Sequence, residues 1–270
     1  MYKKILIATD GTQHSTSAII EAIDMSMKFG SEIYLLHALK KIVVGDPFGV
    51  SRSVITEKIR ESTKKYMDTF KGLATDDGVL KCEIIVSHGK EFHEAILEEA
   101  KKKNVDLIMI GRSVSNVVTR IIYRGVTTHL LRHAPCNVLI VPLAALIQWK
   151  NIILVHDNSE KSSAAAEEAL RIAKKHGSKI IIVSIPPSID KENSIQVVTN
   201  QADMEDIPVE VFDAKGKLSD FVLKLSKEKD TDIIITRSPE EGGVKDRLKK
   251  SFTEQIITRS ICSVLIIKGQ

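Results

Sequence analysis

KILIATDGTQHS (Lys4–Ser15) and NIILVHDNSEKS (Asn151–Ser162) decide the fold. Each is a β-branched run that ends at an aspartate and passes into a polar segment, and the two lie 147 residues apart. FGSEIYLLHAL from Phe29 and HGSKIIIVSIP from His176 match at the same offset of 147. Further along, DLIMIG from Asp106 matches DIIITR from Asp232, and APCNVLIV from Ala134 matches SICSVLII from Ser260, both at an offset of 126. Internal repetition sets the number of structural units before any element is assigned. The offsets differ by 21, so the second copy is 21 residues shorter between its second and third apolar strands.

Each copy alternates short β-branched runs with longer segments of helical period, the pattern of a parallel sheet with crossover helices. In the first copy the strands read ILIAT, EIYLLHA, KCEIIVS, DLIMIG and NVLIV. STSAIIEAIDMSMKFG has apolar residues at helical spacing and stops on Gly30, a residue that ends helices readily. EFHEAILEEAKKK and RGVTTHLLRHA repeat that pattern, and a polar helix is expected from about Ser53 to Leu73. In the second copy the same connection, PPSIDKENSIQVVTNQADMED, holds two prolines and mostly polar residues. Its helix is expected to be lost or reduced to a turn. The division falls in LAALIQWK, giving domains over 1–145 and 150–270.

Composition excludes several classes. With 43% hydrophobic and 27% charged residues, the chain has ordinary globular content. The longest apolar run, Val138–Ile147, is too short to span a bilayer and contains Pro142. MYKKILIATDG leads directly into a strand, so no signal peptide is expected. Cytosolic residence without membrane insertion follows as the expectation. Cys82, Cys136 and Cys262 lack any CxxC or Cys/His ligand spacing, which argues against disulfides and zinc. The net charge of +4 comes without a binding motif or interleaved aromatics, so nucleic acid is not an expected partner. His88, His93, His129, His133 and His156 form no HExxH pattern, and no metal is predicted. Neither a G-x-S-x-G elbow nor another catalytic set is present.

Open parallel sheets bind ligands at the carboxyl ends of their strands. There the first copy offers Asp10 and the second Asp157. Such a carboxylate can accept hydrogen bonds from a ribose or a base, or can hold a turn through nearby amides. The fourth strand of copy one ends at Gly111, and the next helix is read as starting near Gly125. Gly125, Val126 and Thr127 would then present amides and a hydroxyl to a phosphate, with Arg112, Arg120 and Arg124 as countercharge. The alternative is that Gly125 permits a sharp turn and Thr127 or Thr128 caps the helix.

ILIATDG, GKEFHEAILEEA, DLIMIGRS and HLLRHAPCNVLIV together resemble the universal stress protein family, closely over 1–142 and more distantly over 151–268. The chain resembles a tandem member. The resemblance implies α/β architecture: two open, mostly parallel five-stranded sheets with flanking helices, of the adenine nucleotide hydrolase-like type, paired as a pseudo-dimer. The last strands, NVLIV and SVLII, are the expected pairing edges, and two chains are expected to form a homodimer. A non-enzymatic stress-related role is implied, exercised through a regulatory protein partner.

Family members that bind ATP carry Gly, two residues, Gly, nine residues, then Gly and Ser or Thr. Here copy one has Gly111, Val114, Arg124 and Gly125 at those places, and copy two has Arg237, Glu240, Lys250 and Ser251. Each copy keeps one position of four. A nucleotide, ATP or the smaller AMP, is therefore assigned to copy one, through Asp10, Gly111, Arg112, Arg124, Gly125, Val126 and Thr127. Asp157, Lys250 and Ser251 are the lesser candidates in copy two. The other reading is a ligand-independent interaction protein with vestigial motifs.

Overall fold

The computed structural model describes residues 2–11, 13–39, 52–88, 91–112, 117–143, 145–157, 160–185, 193–238 and 251–269. The chain forms two compact units, Met1–Gly111 and Arg112–Gln270.

The first unit runs β1 (Lys4–Thr9), α1 (Gln13–Phe29), β2 (Glu32–Leu39), α2 (Arg52–Asp76), β3 (Cys82–His88), α3 (Phe92–Lys103) and β4 (Leu107–Arg112), with the unit boundary after Gly111. Its strands lie in the order β3-β2-β1-β4, all parallel. β1 and β4 are buried along nearly their whole length, as expected where crossover helices cover a parallel sheet. Ala18, Ile19, Ala22 and Ile23 of α1 form one buried stripe, recurring every three or four residues. α3 buries Ala95, Ile96 and Ala100 and ends on Asn104, whose left-handed φ of 50° lets its amide reach the Ala100 and Lys101 carbonyls.

The second unit holds α4 (Val117–His133), β5 (Asn137–Pro142), β6 (Asn151–His156), α5 (Glu160–His176), β7 (Lys179–Ser184), α6 (Asn193–Met204), β8 (Val209–Asp213), α7 (Leu218–Glu228), β9 (Ile233–Arg237), α8 (Phe252–Arg259) and β10 (Ser263–Ile267). Its strand order is β5-β10-β9-β6-β7-β8. All pairs are parallel except β5 with β10, which run antiparallel with Val264 opposite Ile140 and Ile266 opposite Val138. That pairing explains why the compact units part at Gly111 rather than in the 143–150 linker. The last helix and strand of the first sequence copy pack with the second copy, so strands divide four and six.

Two elements differ from the sequence expectation. The connection after β7 was expected to lose its helix or keep a turn, yet α6 runs for 12 residues against 25 in α2. The prolines precede it, and Val198 and Ala202, four residues apart, are both buried. The larger correction concerns α4. It begins at Val117, eight residues before Gly125, so Gly125 lies inside the helix. The signal was present in VVTRIIYRGVTTHLL: Val118, Ile122, Val126 and Leu130 recur every four residues straight through the glycine.

Candidate functional site

In each copy the strand order reverses direction between its first and fourth strands: β1 and β4 in the first unit, β6 and β9 in the second. Crevices for ligands open at the carboxyl ends of such strand pairs. The register that sets Ala8 opposite Ile110 brings Asp10 and Gly111 to the same end of the first sheet. Gly111 carries no side chain. Gly11, beside Asp10, is exposed and has φ +80°, a region open to glycine at little cost. A Cβ on Gly11 would stand 3.7 Å from the His37 ring, ordinary contact, so backbone conformation rather than space favours glycine there.

Below this turn lies a hydroxyl set that the sequence reading missed. The buried Thr9 hydroxyl meets Ser15 Oγ at 2.7 Å and Tyr66 OH at 3.1 Å, and accepts the Gly11 amide at 3.1 Å. It fixes the turn that presents Asp10. The second copy keeps the plan with different chemistry, since Ser162 Oγ meets His156 Nε2 at 3.1 Å, both fully buried. These pairs could have been found from the repeat, because Thr9 and Ser15 stand at the same 147-residue offset from His156 and Ser162.

The expected phosphate cradle is not assembled from the residues proposed for it. Inside an α-helix an amide is directed to the carbonyl four residues back, so Gly125, Val126 and Thr127 present no helix-start donors. Val126 is buried and Gly125 exposed. Arg112 is not solvent-facing countercharge: its Nη1 and Nη2 donate, each at 2.5 Å, to the Ile257 and Ser260 carbonyls at the end of α8. Its Nε is buried without a hydrogen-bond partner among the described residues. Burial holds this guanidinium below its ordinary pKa. The side chains of Arg120 and Arg124 and all of Val114, Glu240 and Lys250 lie outside the described residues.

Arg112 belongs to a reciprocal arrangement at the ends of the last helices. Where Arg112 serves α8, Ser238 Oγ donates to the Leu131 carbonyl at 2.7 Å, and Lys268 Nζ reaches the Leu131 and Arg132 carbonyls at 3.0 Å, at the end of α4. Cations at helix C-termini satisfy orphan carbonyls and oppose the negative end of the dipole. Each copy's last helix is thus capped by residues at or just past the end of a strand of the other copy.

In the second copy, Asp157 is bound by Arg237, Nε to Oδ2 at 2.7 Å. Ser251 stands where a helix start was expected. It is the N-cap of α8, and its hydroxyl accepts the Glu254 amide at 3.2 Å, so that acceptor is already used in capping.

At the opposite ends of the strands the copies agree. Asp106 accepts the Lys3 and Lys4 amides at 2.7 and 3.1 Å, and Asp232 accepts the Lys150 and Asn151 amides at 2.7 and 2.9 Å. A cleft of about 240 Å³ opens there, lined by Leu146, Thr231, Asp232, Ile261 and neighbours. Its Asp232 carboxylate is already committed to the chain through the Lys150 and Asn151 amides. Among the described residues no cluster of three or more His, Cys, Asp or Glu could hold a metal. His129 and His133 stack at 4.3 Å, with His133 exposed. No helix among the described residues is long and apolar enough to cross a membrane.

The strand order, reversing at β1/β4 and at β6/β9, defines an α/β protein with a doubly wound, mostly parallel sheet. The chain belongs to the universal stress protein family, whose model matches residues 1–142. A universal stress protein of Methanocaldococcus jannaschii is 32% identical over 142 residues, covering 52% of this chain and 82% of that protein. A Staphylococcus haemolyticus protein named for the same family is also 32% identical over 142 residues, covering 52% and 84%. The crystal structure of a universal stress protein from Archaeoglobus fulgidus aligns with a TM-score of 0.80 at 21% identity, covering 98% of this chain and 96% of that one. That likeness extends the fold through the second copy.

Proposed function

We propose that the chain is a tandem, non-enzymatic stress-response regulator that takes one adenine nucleotide, ATP or AMP, at the carboxyl ends of β1 and β4. The observation that carries this reading is the pairing of Asp10 with a glycine on each side of the crevice. Gly11 is held at φ +80° by the Thr9 hydroxyl, and Gly111, next to last in β4, carries no side chain. A carboxylate placed there accepts hydrogen bonds from ribose hydroxyls or a base amino group, and glycine lets a ligand approach the backbone. With the cradle around Gly125 absorbed into α4, the grip falls on the nucleoside end. This favours AMP over ATP. Binding would act on a regulatory protein partner rather than drive chemistry.

A ligand that binds only the folded state raises its melting temperature. Heating the purified chain with and without millimolar ATP, ADP and AMP should give a rise, largest for AMP, that Asp10→Ala removes. No shift with any of the three overturns the reading.

A further inference from the structure

The two crevices occupy equivalent places in the repeat, yet their rims differ. Asp157 stands 147 residues after Asp10, and Arg237 stands 126 residues after Gly111. β6 and β9 are hydrogen-bonded neighbours, with Leu154 opposite Ile235, so these two residues end adjacent strands at the switch point. At these strand ends the Arg237 side chain donates from Nε to Asp157 Oδ2 at 2.7 Å. Both side chains are largely withdrawn from water, 25% and 21% exposed. A charge-assisted bond in this setting is stronger than one on an open surface. A ligand seeking Asp157 Oδ2 must compete with the guanidinium for it. The floor beneath is built on the same plan, with Ser162 on His156 in place of Ser15 on Thr9.

We propose that Arg237 is an internal counter-ligand: by holding Asp157 across the β6/β9 switch point it closes the second crevice to nucleosides, so each chain takes only one. The single-site count rests on the nucleotide reading of the first copy. The lock itself does not. Asp157 keeps the acceptor oxygens that a ribose or base would use, and the arginine in place of glycine holds one of them, Oδ2.

The test uses adenosine, a neutral probe, so that phosphate charge plays no part in the comparison. Calorimetric titration is done on the full chain carrying Asp10→Ala, which removes the first crevice from the measurement. Adding Arg237→Gly should tighten adenosine binding at least tenfold, and further adding Asp157→Ala should abolish the gain. Arg237→Ala, which shortens the side chain without freeing the backbone, should give the same gain and serves if the glycine variant fails to fold. A folded variant with no gain, or a gain that survives Asp157→Ala, overturns the lock. So does an otherwise unaltered chain that binds two adenosines. Failure of the nucleotide reading looks different: the unaltered chain shows no melting shift, while the lock still opens in the Asp10→Ala background.

Discussion

At the amino-terminal ends of their central strands the two copies use the same chemistry, whereas at the carboxyl ends they have parted. Asp106 and Asp232 each accept the backbone amides that open the neighbouring strand. Ser31 and Ser178 each donate a hydroxyl to a carbonyl just ahead of that strand, those of Tyr2 and Trp149. At the other end, the place beside Asp10 is glycine, Gly111, while at the equivalent place Arg237 holds Asp157. The helix after the fourth strand starts at Val117 in one copy, whereas Ser251 caps its later start in the other. Residues that close the backbone of a strand entry have few substitutes. A crevice rim tolerates change, because rims carry ligands rather than the sheet.

The largest effects should come from the shared end. Asp232→Ala leaves the Lys150 and Asn151 amides without their acceptor and should lower unfolding free energy by roughly 2 kcal/mol, within the range for hydrogen bonds to charged groups. Asp106→Ala should cost about the same on that scale. Urea midpoints of both variants check it, and a loss at only one site would break the equivalence. Ser251→Ala removes the N-cap of α8 and should cost about 1 kcal/mol. Gly125→Ala tests the unequal end with the opposite sign. A Cβ there meets nothing within 4 Å, so the helical reading expects a gain of roughly 0.5–1 kcal/mol. Destabilisation, or loss of a nucleotide-dependent melting shift in that variant, would restore Gly125 to a helix start.

The smallest effect is a pH dependence shared by both copies. Hydrogen bonds from Lys81, then Tyr34, hold Glu32 below its ordinary value of 4.5, and those from Lys179 and Lys229 do the same for Glu210. The Arg259 guanidinium lowers Asp220 from 3.8. A carboxylate with a depressed folded pKa contributes stability that is fully present above its unfolded value and lost as pH falls through the folded one. Urea midpoints should therefore hold between pH 7 and about pH 5 and decline below about pH 4.5 as far as these groups are concerned. Glu32→Gln and Glu210→Gln should each flatten the decline slightly, because the pairs are partly exposed to solvent and salt-screened.

Much of the fold was legible in the residues themselves. The matched runs from Lys4 and Asn151 gave the repeat, the first and sixth strands, and Asp10 and Asp157 as strand-end carboxylates. The four-residue spacing through Gly125 also lay in the sequence. It was masked by a glycine that reads as punctuation, although one glycine costs an α-helix only about 1 kcal/mol against alanine, which a long apolar stripe offsets. Arg237 was visible as a departure from glycine, but not as a partner of Asp157.

By itself, then, the sequence determined the α/β alternation, the duplication and the family, because hydrophobic period and strand-end residues are local properties of the chain. The pairing of β5 with β10 was already expected from the family resemblance, whereas tertiary structure decided that Arg112 caps α8 and that Arg237 closes over Asp157. Each joins groups 80 or more residues apart, and local pattern carries no record of which distant side chain arrives at a given strand end.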